Sequence, residues 1–81
     1  ALDGSFFATG QRCTASSRLI VQDGIHDRFV AALAEKVAAL RVGNALDPDT
    51  QVGPAVSEAQ RETSYRYIDI AASEGGRVVA G

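Results

Sequence analysis

Between Ile25 and Leu40 the apolar positions return at Ile25, Phe29, Val30, Leu33, Val37 and Leu40, while Asp27, Arg28, Glu35 and Lys36 fall elsewhere on the wheel. Recurrence every three or four residues predicts an amphipathic helix with one apolar stripe. Asp23 and Asp27 set negative charge near its positive end, and Gly43 with Asn44 is expected to supply a left-handed stop. A second helix is expected from Ser57, which stands three residues before Gln60 in capping-box spacing. It runs through Tyr65, Ile68 and Ala72 to a stop at Gly75 and Gly76. Upstream, residues 2–8 read as the tail of a helix, with Leu2, Phe6 and Phe7 on an apolar side and Gly10 ending it.

The period changes in residues 17–22, where Leu19, Ile20 and Val21 are continuous and Asp23 and Gly24 follow. That run predicts a short strand buried on both faces, as in a parallel or mixed sheet. Arg77 to Ala80 reads as the opening of another strand. Residues 44–56 hold both prolines, Pro48 and Pro54, with Asp47, Asp49 and Gly53, and are expected to form an ordered surface loop rather than a domain linker. The order helix, strand, helix, helix, strand predicts an α/β architecture with helices layered on a mostly parallel sheet. No repeat or low-complexity tract interrupts it.

Composition narrows the picture. Hydrophobic residues make up 46% of the 81 positions and charged residues 22%, which is the balance of a folded globular chain. A core drawn from so few residues is marginal unless neighbouring segments complete it. Because the chain contains no methionine, it is expected to be a piece of a longer one: a single partial domain over residues 1–81. The formal charge of −2 offers no electrostatic footprint for nucleic acid or an anionic membrane, so neither partner is expected. One cysteine makes no internal disulfide, and no run is apolar enough to span a bilayer; a reducing cytoplasm is the expected compartment.

That single cysteine, Cys13, carries the chemistry. A structural cysteine usually sits among hydrophobes, whereas Cys13 lies between Arg12 and Thr14 in the run Phe6, Phe7, Ala8, Thr9, Gly10, Gln11, Arg12, Cys13. A neighbouring guanidinium favours thiolate over thiol, and Gly10 can bend the chain where the helix stops, leaving Cys13 at the mouth of a cleft. An inert, half-buried thiol is the competing local reading, because nothing else in the chain completes a catalytic set. His26, the only histidine, is expected in solvent at a helix start rather than as the base of a cysteine hydrolase. Ser16 and Ser17 have no partner base, and Asp47 and Asp49 have too few further oxygens near them for calcium, so no metal site is expected. Arg18 is expected in a structural salt bridge.

In order and spacing, Phe6, Phe7, Gly10, Gln11, Cys13, Arg18 and Val21 resemble the cysteine signature of the aldehyde dehydrogenase superfamily. The stretch Arg41, Val42, Gly43, Asn44, Asp47, Pro48, Gly53, Pro54 and the stretch Tyr67, Ile68 through Glu74, Gly75, Gly76 are similar too, so the resemblance covers essentially the whole chain. It implies a segment of the cysteine-bearing catalytic domain and an NAD- or NADP-dependent oxidation of an aldehyde to a carboxylate. Cys13 takes the place of the nucleophile, attacking the carbonyl to give a thiohemiacetal and then a thioester that water hydrolyses. The backbone N–H of Cys13 is expected to donate to the developing oxyanion.

The resemblance assigns no cofactor-binding residue to these 81 positions, and places the dinucleotide domain, the oxyanion asparagine and the water-activating glutamate outside them. Phe7 matches a position lining the substrate tunnel, with plain core packing as its alternative. Superfamily members with arginine before the cysteine include several acting on carboxylate-bearing semialdehydes, so Arg12 is a candidate substrate ligand; an ion pair or a solvated side chain is its alternative. Thr14 either shapes the funnel or satisfies backbone groups. The implied partners are a small-molecule aldehyde and further copies of the chain, as a dimer or tetramer. Two other outcomes stand beside hydrolysis: transfer of the thioester to CoA, and a non-catalytic truncated module that associates through its apolar faces.

Overall fold

The computed structural model describes residues 1–81 as three helices joined by two irregular connections. Helix α1 spans Leu2–Phe6 and runs into a tight turn over Phe7–Gly10. Helix α2 spans Asp23–Ala38, and helix α3 spans Glu58–Ser73. α1 packs against α2, while α3 touches neither of them closely through its backbone.

The α2 stripe read from the sequence is its inward side. Phe29, Val30, Leu33, Val37 and Leu40 are half-buried, while Ile25 is exposed. Asp23 lies in the first turn and Lys36 in the last, each matched to the sign of the helix dipole there. The end of the helix differs from the expected left-handed stop at Gly43 and Asn44. α2 stops at Ala38, Ala39 caps it with φ −84° and ψ −6°, and Gly43 has no positive φ. The cause lies across the loop: the Arg41 carbonyl accepts from both Gln51 N–H (2.8 Å) and Val52 N–H (3.1 Å), which draws the chain out of the helix two residues early.

Those bonds, Gly43 N–H to the Val52 carbonyl and the parallel bridge of Val42 with Val52 close the loop on itself. Asn44 Oδ1 and Asp47 Oδ1 each accept from the N–H two residues on, and Arg41 Nε reaches the Asp49 carbonyl. The segment is therefore ordered by Asx turns and short-range bonds, as the proline and aspartate content predicts.

α3 begins and ends where its residues dictate. Ser57 is the N-cap and its Oγ accepts from Gln60 N–H at 3.2 Å, one half of the capping box. At the far end Gly75 has φ +93°, with Gly75 N–H bonded to the Ala72 carbonyl and Gly76 N–H to that of Ala71, the paired bonds of a Schellman stop. Glu58 and Arg61 pair one turn apart on its surface.

The expected strands do not form as strands. Residues 17–22 and 77–80 join no ladder, Ile20 is fully exposed, and Val78 and Val79 are exposed. A strand is stable only when a neighbour takes its N–H and C=O groups, and none of these 81 residues offers one. The α/β layering is thus represented here by its helices and by two unpaired segments. Arg18 is also without the ion pair expected of it.

No residue is fully buried. The accessible surface is 6662 Å², about 2,000 Å² more than the scaling of compact proteins gives for a chain of this mass. The radius of gyration, 13.8 Å, exceeds the roughly 12 Å of a compact domain of this length. Phe6 of α1, Val30, Leu33 and Val37 of α2, Ile68 of α3 and Val79 line an open apolar groove. Apolar faces point inward without enough chain here to close over them.

Candidate functional site: a tethered cysteine turn

The site begins at the end of α1. Phe7 has φ −66° and ψ 149°, which breaks the helix, and the next three residues, Ala8, Thr9 and Gly10, have φ of 55°, 59° and 66°. Three consecutive left-handed residues reverse the chain within one turn. Only Gly10 adopts that region without a Cβ penalty; Ala8 and Thr9 hold it against their intrinsic preference.

Their compensation is visible in the bonds that follow. Thr9 Oγ1 donates to the Gly53 carbonyl at 2.9 Å, and Gln11 Oε1 accepts from Val56 N–H at 2.9 Å. Gln11 N–H also closes onto the Ala8 carbonyl at 3.0 Å. Two side chains from the turn therefore grip the backbone of residues 53–56, some 45 positions further along.

Arg12 to Ala15 then form a β-turn closed by Ala15 N–H to the Arg12 carbonyl at 3.0 Å, with Cys13 and Thr14 at its corner. On its far side Ser16 N–H donates to the Gly4 carbonyl at 2.8 Å, returning the chain to α1. The Cys13 turn is pinned before and after: to residues 53–56 on one side and to α1 on the other.

Cys13 is a free, exposed thiol, and its own N–H makes no hydrogen bond within the chain. Arg12 and Thr14 flank it, both exposed, and Arg12 makes no ion pair among these 81 residues. Phe7 is half-buried at the other end of the turn. Phe7, Arg12, Cys13 and Thr14 thus belong to one reversal of the chain, but none of them lines any of the concavities, which open instead along the helices and the extended segments beside them. His26 is paired with Asp27 at the start of α2 and plays no part in the turn. No group of histidine, cysteine and acidic side chains is placed to hold a metal ion.

Thr9 and Gln11 are the residues that sequence reading missed. Gln11 belongs to the signature and Thr9 stands within its span, but the local pattern points to Gly10 alone as the source of the bend. A long-range bond from a side chain to a distant carbonyl leaves no local pattern to read.

This backbone, with its helices, its reversal after α1 and its closed loop after α2, is that of an aldehyde dehydrogenase. It matches the 1.72 Å crystal structure of a point mutant of betaine aldehyde dehydrogenase from Staphylococcus aureus, in complex with NAD+ and carrying a BME-modified cysteine. The TM-score is 0.95 at 40% identity, covering 99% of this chain and 16% of that one. The family model described as the aldehyde dehydrogenase family matches residues 1–81, and the chain belongs to that family. Betaine aldehyde dehydrogenase of Mesorhizobium japonicum is 48% identical over 81 residues, covering all of this chain and 17% of the relative. An aldehyde dehydrogenase of Didymella fabae is 42% identical over 80 residues, covering 99% and 16%. The chain therefore spans about a sixth of the length of the curated relatives it matches.

Proposed function

We propose that residues 1–81 supply the nucleophilic cysteine of an NAD(P)-dependent aldehyde oxidation and work inside a longer chain that completes the site. The reading is carried by one observation: in a chain of this family, the sole thiol is exposed at the corner of a turn tethered on both sides. The 6662 Å² surface and the two unpaired extended segments support the longer chain, whose strands would pair with residues 17–22 and 77–80 in an α/β layer.

In the proposed mechanism Cys13 Sγ attacks the carbonyl carbon, and the carbonyl π electrons move to oxygen as an alkoxide. The unbonded Cys13 N–H lies beside the sulfur on the same residue and is free to donate to that oxygen, stabilising charge as it develops. A nicotinamide held by other parts of the fold would supply the acceptor for the hydride that the alkoxide carbon gives up as its C=O re-forms. The resulting thioester is cleaved by water, with the thiolate leaving. Phe7 and Thr14 would border the approach of the aldehyde. The products are a carboxylic acid and the regenerated thiol. The acting form is a homo-oligomer, dimer or tetramer, in the cytoplasm.

The test is Cys13→Ala in the full-length protein. Aldehyde-dependent NADH formation should vanish while thermal stability is retained; turnover by the variant removes the reading. Formation of acyl-CoA when CoA is supplied would assign the CoA-acylating branch in place of hydrolysis.

Arg12 sets the charge of the preferred substrate. A guanidinium on the residue next to the nucleophile could bind a carboxylate through paired hydrogen bonds and would repel a quaternary ammonium. The favoured substrate is therefore an aldehyde with a distal carboxylate. A second reading has support in the names of the relatives, which specify betaine aldehyde, a cation. Arg12→Leu separates the two: loss of a charge-assisted pair should raise KM for 4-oxobutanoate by roughly 10-fold or more, leave butanal nearly unchanged, and lower KM for betaine aldehyde. Equal effects on all three would remove Arg12 from substrate recognition.

A further inference from the structure

We infer that Gln11 and Thr9 are positioning residues that fix the Cys13 sulfur by clamping its turn to the backbone of residues 53–56. The inference rests on the reading of Cys13 as the nucleophile and extends it to two side chains that touch neither the sulfur nor an aldehyde.

Between α1 and Cys13 the chain passes through Ala8, Thr9 and Gly10, all with positive φ, so nothing in its regular structure holds this stretch in place. The only long-range hydrogen bonds made by its side chains are those of Thr9 Oγ1 to the Gly53 and Pro54 carbonyls (2.9 and 3.4 Å) and of Val56 N–H to Gln11 Oε1 (2.9 Å). Residues 53–56 are a fixed anchor. They follow directly on Val52, which is locked to Arg41 and Gly43 by backbone bonds and bridged to Val42, just beyond α2.

The path from α2 to the sulfur therefore runs through Val52, residues 53–56, Gln11 and Cys13, with Gln11 only two residues from the thiol. Gln11 is suited to the task because its amide is bifunctional: Oε1 takes the Val56 N–H while Nε2 lies 3.4 Å from the Ala8 carbonyl. One planar group spans the turn and its anchor. Without Gln11 the stretch keeps the Thr9 bond to the Gly53 carbonyl and, beyond Cys13, the Ser16 bond to α1, while the residues next to the sulfur lose their own tie to the anchor.

The experiment uses the full-length protein and p-nitrophenyl acetate, whose acylation of the thiol releases a burst of nitrophenolate without needing cofactor or the natural aldehyde. Gln11→Leu should slow the burst by roughly 10- to 100-fold, as expected for displacement of a reacting atom by about 1 Å. Gln11→Glu, which keeps an oxygen for Val56 N–H, should recover most of the rate. Thr9→Val and Thr9→Ser should behave as the same pair, and they decide the matter if Gln11→Leu does not fold. A merely structural role would lower the melting temperature of the Leu and Val variants and leave their burst rate intact; that result overturns the inference. Equal slowing by the conservative and non-conservative variants overturns it as well. Cys13→Ala is run in parallel: a surviving burst sinks the assignment of the nucleophile itself, whereas a lost burst with an unaffected Gln11→Leu sinks only the positioning role.

Discussion

Gly10→Ala tests the strained reversal that carries the chain from α1 to Cys13. Gly10 has φ +66°, and a Cβ placed on it would stand 3.1 Å from the Ser5 carbonyl oxygen in the last turn of α1. Holding an L-residue in the left-handed region costs about 1–2 kcal/mol. Stiffening the unfolded chain by replacing glycine returns about 0.4–1 kcal/mol. The contact with a backbone oxygen cannot be relieved by a side-chain rotation, so it adds to the loss, and a net destabilisation of about 1 kcal/mol or slightly more is expected.

Ala8→Gly is the internal control. Ala8 occupies φ 55° and ψ 30° and is exposed, so removing its Cβ relieves strain without losing packing. The same bookkeeping, with the signs reversed, gives a net gain of up to about 1 kcal/mol. Thermal unfolding of the two variants in the full-length protein should move in opposite directions, by roughly 2–4 °C each for a cooperative unit of 150–250 residues. If Gly10→Ala unfolds at or above the parent's midpoint, or Ala8→Gly below it, the left-handed reversal is not what the native chain adopts.

Removing the α3 cap by Ser57→Ala should cost about 1 kcal/mol in urea denaturation, and Ser57→Asp, which again offers an oxygen to Gln60 N–H, should restore most of it; equal losses would deny the cap its role. Residues 1–81 produced alone should give no aldehyde-dependent NADH and should bind the dye ANS, since apolar residues such as Ile20, Leu46 and Val56 are 100%, 91% and 81% exposed. NADH formation by that piece would refute the proposal that residues outside it complete the site.

The helices were readable along the chain because their signals are local. The α2 stripe needs only its own spacing, the Ser57 cap reaches three residues ahead, and the Gly75 stop follows from a backbone region that glycine enters freely. Cys13 was legible for a similar reason: a lone thiol among polar neighbours stands out without any knowledge of the fold, and the surrounding signature ties it to a family. The loop over residues 44–56 announced itself through its prolines and aspartates.

Other features depended on groups far apart in the chain. The continuous apolar run at Leu19, Ile20 and Val21 marks a segment suited to a sheet, but a strand exists only where a second strand meets it, and no run of side chains can supply its own neighbour. The early end of α2 was decided by Gln51 and Val52 from across the loop, not by the glycine that follows the helix. Ala8 and Thr9 enter the left-handed region because the grip of Thr9 and Gln11 on residues 53–56 offsets the strain, a balance struck between positions some 45 residues apart. The sequence by itself determined which residue bears the thiol and which stretches coil into helices, since both follow from nearest neighbours. Where that thiol is held was decided only by tertiary structure, because the bonds that hold it join parts of the chain that have no local reason to meet.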